Sequence, residues 1–365
     1  MLPKLAEQDI NAAVEVLRSG MLRAAKKCEE LEQRLASLSG AKHAMSCANG
    51  TCALQLAYEP LFQPGDEVLV PAWSYIATVS MIVARGCTPI FVDADPVTGQ
   101  IDAQDAARRI TKKTRGIAAT HMYGCPVDID AIERLAAAHG LKVVYDAAQA
   151  HLATYRGEGI GRFGHAVTYS FYATKNLPTG EGGMVTCNDD SLARDIRLLR
   201  SHGETEKYLH ERVGYNYRLN DIAGAIGCSR LDRLPDETEA RRAVARKYDA
   251  MFTGSVFVRP LGITPGAVSA YHLYTVALDL DRVRCTRDEF AKALAAEGVP
   301  NAVHYPRALP DQPAFARFAG DAKDWAVARH LAQRVLSLPM HHGLTDDHLR
   351  IVREAIDKVS AAMAR

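Results

Sequence analysis

The sequence has almost no excess charge of either sign: 44 Lys and Arg stand against 43 Asp and Glu in 365 residues. That balance offers no basic field to nucleic acid or to an anionic membrane surface. Paired metal-ligand spacings are missing too. The eight cysteines are scattered, with no Cys-x-x-Cys pair and no His-x-His companion. They read as reduced core thiols of a cytosolic protein rather than as a disulfide or zinc framework. No apolar run approaches the ~20 residues that a membrane helix requires. The opening, MLPKLAEQDINAAVEVLRSG, carries acids where a secretory leader needs a basic patch and an apolar core. Asn49-Gly50-Thr51 matches a glycosylation sequon, and without a leader that match reads as accidental. No internal repeat or low-complexity segment stands out. The expectation is a soluble, cytoplasmic chain with no nucleic-acid or membrane partner.

What is present is a regular alternation. Strand-like runs recur at 43–47, 66–71, 88–93, 116–121, 141–146, 165–172 and 182–187, most of them separated by helix-period segments. DIDAIERLAAAHG shows the pattern: an acidic first turn, apolar residues at helical spacing, and Gly140 as the stop. Strands alternating with helices predict an α/β large domain with a mostly parallel seven-stranded sheet covered on both faces. The last two runs are too close for a helical crossover, so one of them is expected to be antiparallel. A chain of this length holds a second, smaller unit. The boundary is expected at Pro235, giving residues 1–235 as the large domain with an N-terminal helical segment and 236–365 as a small C-terminal α/β domain. Strands over 270–280 and NAVHY (301–305) are expected there, with helices over TRDEFAKALAAEGV, DWAVARHLAQRVL and TDDHLRIVREAIDKVSAAMA.

GIGRFG (159–164) matches the dinucleotide fingerprint, which works only where it leaves a strand and opens a helix. Here TYRGE precedes it and the strand-like HAVTYSFY follows it. We read it as a glycine-rich loop, and not as a nicotinamide site. The small domain's His272, His304, His341 and His342 have no carboxylate at ligand spacing, so no metal site is read from them.

The residue that asks for an explanation is Lys175, set between two buried strand runs in TYSFYATKNLPTGEGGMVTCND. Burial penalises an ammonium and favours the neutral amine, a nucleophile suited to a Schiff base with an aldehyde. Three other features share strand ends with it. LKVVYDAAQAH closes an apolar strand with Asp146, with Gln149 three residues on. A carboxylate there can be a helix cap, or it can keep the pyridine nitrogen of pyridoxal phosphate protonated while Gln149 donates to the ring's phenolic oxygen. SCANGTCALQLAY turns from strand to helix through Gly50-Thr51, exposing free amides to a phosphate as well as serving any ordinary turn; Ser170 can add a hydroxyl. VPAWSYIATVS places Trp73 and Tyr75 in a loop where one aromatic can stack on a flat ring. Phosphate cup, ring stacker, acid and amine together point to pyridoxal 5'-phosphate.

At these residues the sequence resembles the fold-type-I pyridoxal-phosphate aminotransferases of the DegT type, which mostly aminate nucleotide-linked keto sugars. PGDEVLVPAWSYIATV, GCTPIFVDAD, HMYGCPVDIDAI, YDAAQAH, SFYATKNLPTGEGGMV, LLRSHG, VGYNYRLNDIAGAIG, AVHYP and LSLPM look like that family's segments, in its order. The resemblance implies the fold-type-I fold and an aminotransferase using an amino-acid donor, glutamate by family habit. It implies that Lys175 carries the Schiff base and shuttles protons, that Asp146 pairs with the ring nitrogen, and that Gln149 contacts the ring oxygen. Tyr75 then stacks on the ring, and Ser170 with the Gly50 and Thr51 amides binds the phosphate. Asn216 would reach the phosphate of a neighbouring subunit, which implies a homodimer with shared sites. Some members replace the lysine with histidine and become dehydratases; this chain keeps Lys175. Tyr145 and His165 stand where the family often has acids. Two other readings fit the same residues: an aminotransferase acting on a free keto sugar or cyclitol, or a non-catalytic regulator that binds the cofactor.

Overall fold

The computed structural model describes residues 5–321 and 323–364. Its centre is a seven-stranded sheet of β1 (His43–Cys47), β2 (Glu67–Pro71), β3 (Thr88–Val92), β4 (Thr114–Thr120), β5 (Lys142–Asp146), β6 (Ala166–Ser170) and β7 (Gly183–Cys187). The spatial order is β1-β7-β6-β5-β4-β2-β3. β2, β3, β4, β5 and β6 pair in parallel, while β7 runs antiparallel to both β6 and β1. The reversed strand is the one expected from the short connection at 171–182.

Side chains alternate across the sheet, as the two-residue period demands. In β5, Val144 joins the core on one face while Val143 and Tyr145 join the core on the other. The first face is covered by α3 (Gly50–Tyr58), α4 (Ala77–Ala84) and α7 (Asp190–Arg200); the second by α2 (Lys26–Ser39), α5 (Ala103–Arg108), α6 (Ile129–His139) and α8 (Asp221–Leu231), with α1 (Glu7–Ser19) packed on α8. Sequence-encoded caps set their starts: the side chains of Asn49, Asp128, Asp189 and Asn220 each accept a hydrogen bond from an N–H in the first turn. Gly140, at φ 64°, ends α6 in the left-handed conformation that glycine adopts without strain.

Helix α9 (Leu234–Phe252) leads to a second sheet, Val258–Pro260, Tyr274–Leu278 and Val335–Leu338, all antiparallel, packed against Arg287–Ala296 and Asp346–Ala362. Two expectations need correction here. The helix read over DWAVARHLAQRVL stops at Arg334, because Val335 and Leu336 are buried and pair with Ala277 and Val276. NAVHY is not a strand: only Ala302 bridges to Ser337, while the carbonyls of His304 and Tyr305 accept from the side chains of Tyr123 and Trp73. GIGRFG opens no helix; after a single 3-10 turn (Ile160–Arg162) the chain enters β6. Its glycines serve packing, since a Cβ at Gly159 would lie 2.3 Å from the Ser39 carbonyl oxygen. Among the described residues no helix is long and apolar enough to cross a membrane.

Candidate active site

A cleft of about 880 Å³ opens at the carboxyl ends of β4, β5 and β6. Lys175, Asp146, Gln149, Ser170, Gly50, Thr51 and Tyr75, seven of the eight residues expected at a site, line it. The eighth, Asn216, does not. It is exposed, bridged to Ser201 on a neighbouring loop.

Lys175 is carried on the β6–β7 connection. That segment is tied at both ends: Phe171 N–H donates to Gly182 O at 2.7 Å, and Thr179 N–H donates to Phe171 O at 2.8 Å. Lys175 N–H itself donates to Tyr172 O at 2.8 Å. Burial lowers the pKa of its amine below the ordinary lysine value, and the charge of Asp146 opposes that shift. Asp146, 5 % exposed, ends β5. Its Oδ1 accepts from Ala148 N–H at 3.0 Å and its Oδ2 from the Thr78 hydroxyl at 2.6 Å. Burial raises its pKa, against the Thr78 hydroxyl, the Ala148 amide and Lys175.

The segment expected to form a phosphate cup is built by close approach. A Cβ on Gly50 would lie 2.8 Å from Ser170 Cβ, and one on Gly183 would lie 2.5 Å from the Asn49 carbonyl carbon. The start of α3 therefore rests directly on the ends of β6 and β7. Its first amides and the Ser170 hydroxyl face one space.

The smaller sheet's side contributes Tyr305, which the sequence did not single out, beside two of the histidines that it read as structural or substrate-contacting and not as metal ligands. Tyr305 and His304 line the cleft with His272. Gln149 Nε2 donates to Tyr305 Oη at 3.0 Å, while its Oε1 accepts from Tyr123 N–H at 2.6 Å. The Tyr305 carbonyl accepts from Trp73 Nε1 at 3.1 Å, and Tyr123 Oη donates to the His304 carbonyl. Trp73 is thus a buried anchor for this segment. Tyr75, 57 % exposed, is the aromatic at the cleft, 5.9 Å between ring centroids from Tyr305. Asn176 Nδ2 donates to Ala270 O, leaving its Oδ1 to face His272 Nδ1 at 3.2 Å. That arrangement puts the imidazole proton on Nδ1. Burial and the Lys175 charge hold His272 and His304 below the usual histidine range. His341 and His342 lie outside the cleft.

Residues 3–357 match the model of the DegT/DnrJ/EryC1/StrS aminotransferase family. The chain belongs to this family. It is 38% identical over 347 residues to a pleiotropic regulatory protein of Geobacillus stearothermophilus, covering 94% of this chain and 91% of that one. It is 37% identical over 350 residues, 95% of each chain, to the UDP-2-acetamido-2-deoxy-3-oxo-D-glucuronate aminotransferase of Pseudomonas aeruginosa. Among solved structures, DesV of S. venezuelae superposes with a TM-score of 0.92 at 35% identity, over 96% of this chain and 94% of DesV. The fold-type-I architecture, with its cleft at the strand ends, is that of a sugar-aminotransferase relative from end to end.

The donor set fits pyridoxal phosphate. An amine, a carboxylate with two protein donors, an exposed aromatic ring and a helix start closed by Ser170 meet in one cleft. Sequence reading did not single out Thr78, Thr120, Ser74 or Tyr305; of these only Thr120 ends a strand, while the others lie in α4 or in loops.

Proposed function

We propose that this aminotransferase uses pyridoxal phosphate to move an amino group from an amino acid, glutamate by expectation, to the keto group of a nucleotide-linked sugar. The observation that carries the reading is the convergence of Lys175, Asp146, Gln149, Ser170 and the α3 start on a single cleft. When bound, the cofactor supplies an aldehyde and a protonated ring that accepts the electrons left on an amino acid's α-carbon. Asp146 keeps the proton on the ring nitrogen. With the cofactor in place Lys175 Nζ would hold its aldehyde carbon, and the same amine would take and return the proton at the substrate carbon; a lowered pKa suits it to both directions. Ser170 and the amides of Gly50 and Thr51 hold the phosphate, Tyr75 covers the ring, and Gln149 orients it. The Pseudomonas relative, named for a UDP-linked keto sugar acid, supports the acceptor class. We further propose a cytoplasmic homodimer in which Asn216 completes the phosphate site of the partner subunit, consistent with its exposure and its position outside its own cleft.

The test is the visible spectrum of the purified chain with pyridoxal phosphate, before and after glutamate, beside Lys175→Ala. The expected result is a yellow band that glutamate bleaches and that the variant lacks. A panel of nucleotide-linked keto sugars should then restore the band. The regulator name borne by one relative favours a second reading, a binder without turnover. A band indifferent to every amino acid would select it, and no band at all would overturn the cofactor assignment.

A further inference from the structure

Beside Asp146 lies a chain of buried hydroxyls that the reaction described above does not use. Thr78 Oγ1 donates to Asp146 Oδ2 at 2.6 Å. It stands 3.3 Å from Thr120 Oγ1, which is 3.0 Å from Ser74 Oγ, and Ser74 lies 3.5 Å from Thr78. All four side chains are buried. The fold assembles them: Thr120 ends β4 in register with Asp146 at the end of β5, and Ser74 and Thr78 flank the start of α4. Thr78 is held from behind by Tyr58 Oη, which donates to its carbonyl at 3.1 Å.

The chemistry gives this chain a direction. An ionised carboxylate can only accept, so the single proton of Thr78 goes to Asp146. Thr78 must then accept from Thr120 or Ser74, and each donation strengthens the next in a low-dielectric interior. With Ala148 N–H on Oδ1 and Thr78 on Oδ2, each carboxylate oxygen has its own protein donor, and turning the group would lose both. We propose that Thr78 is a positioning residue for Asp146, its hydroxyl, backed by Thr120 and Ser74, fixing the carboxylate's rotation at the floor of the cleft. The other titratable groups that sense Asp146 are Lys175, Tyr58 and Tyr305; among the described residues none of them donates a hydrogen bond to it. The proposal rests on the reading that a bound ring uses the Asp146 charge.

The experiment is thermal melting of the full-length apo chain from pH 4 to pH 8, for wild type, Thr78→Val, Thr78→Ser, Asp146→Asn and the Thr78→Val/Asp146→Asn double variant. Burial raises the Asp146 pKa and the Thr78 hydroxyl opposes that rise, so removing the hydroxyl raises it further. A raised carboxyl contributes stability present below its ordinary range and lost as pH climbs through the folded value. The Tm gap between wild type and Thr78→Val is therefore expected to be small near pH 4 and to widen with pH. Serine should close the gap, and the double variant should show no widening relative to Asp146→Asn. Thr78→Ala gives the same signature should valine not fit. A gap constant with pH, or one that widens equally without the Asp146 carboxylate, overturns the proposal. In the reconstituted protein, Thr78→Val should weaken pyridoxal phosphate binding about tenfold, the scale of a hydrogen bond to a charged group. If wild type binds no pyridoxal phosphate, the functional reading fails while the melting series still decides the role of Thr78.

Discussion

Lys175 and Asp146 govern each other's charge across the floor of the cleft. Burial drives the lysine toward the neutral amine and the aspartate toward the neutral acid, and each group's charge resists the other's loss. The consequence has a sign. Replacing Asp146 with Asn removes the opposition, so Lys175 loses its proton at a lower pH. The association rate of pyridoxal phosphate with the apo chain depends on the unprotonated amine. It should rise with pH, levelling below the ordinary lysine pKa, and Asp146→Asn should move that rise to lower pH. Identical pH curves for the two proteins would show that the charges do not communicate. Lys175→Ala should lose on the order of 10²–10⁴ in transamination rate, as expected where the proton carrier at the reacting carbon is deleted. A smaller loss would place the proton elsewhere.

At the scale of elements, the start of α3 leaves no room for added volume beside the cleft. Gly50→Ala would drive a Cβ to 2.8 Å from Ser170 Cβ, so the helix or β6 must shift. About 1–3 kcal/mol of stability should be lost, the usual cost of overpacking a tight contact. The affinity for phosphate-bearing cofactor should fall more than the affinity for pyridoxal, which has no phosphate to seat. Equal losses for both would mean that α3 does not hold the phosphate. Elements of this kind were legible because they carry local signals: the runs at 43–47 and 182–187, the Asp128 cap and the Gly140 stop all sit where periodicity and turn chemistry put them. The errors fell where tertiary packing overrides those signals. Val335 and Leu336 continue a helical pattern yet serve a better-buried strand, and NAVHY has strand composition yet spends the carbonyls of His304 and Tyr305 on Tyr123 and Trp73. The hydroxyls around Asp146 were illegible for another reason. Thr78 and Asp146 stand 68 positions apart, and only the strand order joins them.

The whole molecule divides its labour between two kinds of surface. Both faces of the large sheet are buried, and the cleft lies at one rim, lined also by the segment around His304 and Tyr305 that reaches it from the smaller sheet. Asn216 stands outside that rim, which makes the dimer testable by mixing. If Asn216 serves the partner's site, neither Lys175→Ala nor Asn216→Ala homodimers should be fully active. Unfolding and refolding the two together should then create heterodimers with one intact site. Activity no higher than the sum of the separate variants would mean that each subunit works alone.

The reversed strand β7 has a last consequence. Because it runs against its neighbours, the chain leaves β6 and returns to the sheet at the same rim, and the segment between them is fastened at both ends. If Lys175 is the catalytic amine proposed above, it is mounted as a clapper in a fixed bell, and its side chain should swing while its mount stays still. Each cycle can then be reset by rotation about a few single bonds, with no loop to reopen, and amide hydrogen exchange over 171–182 should stay equally slow in the apo and loaded chains.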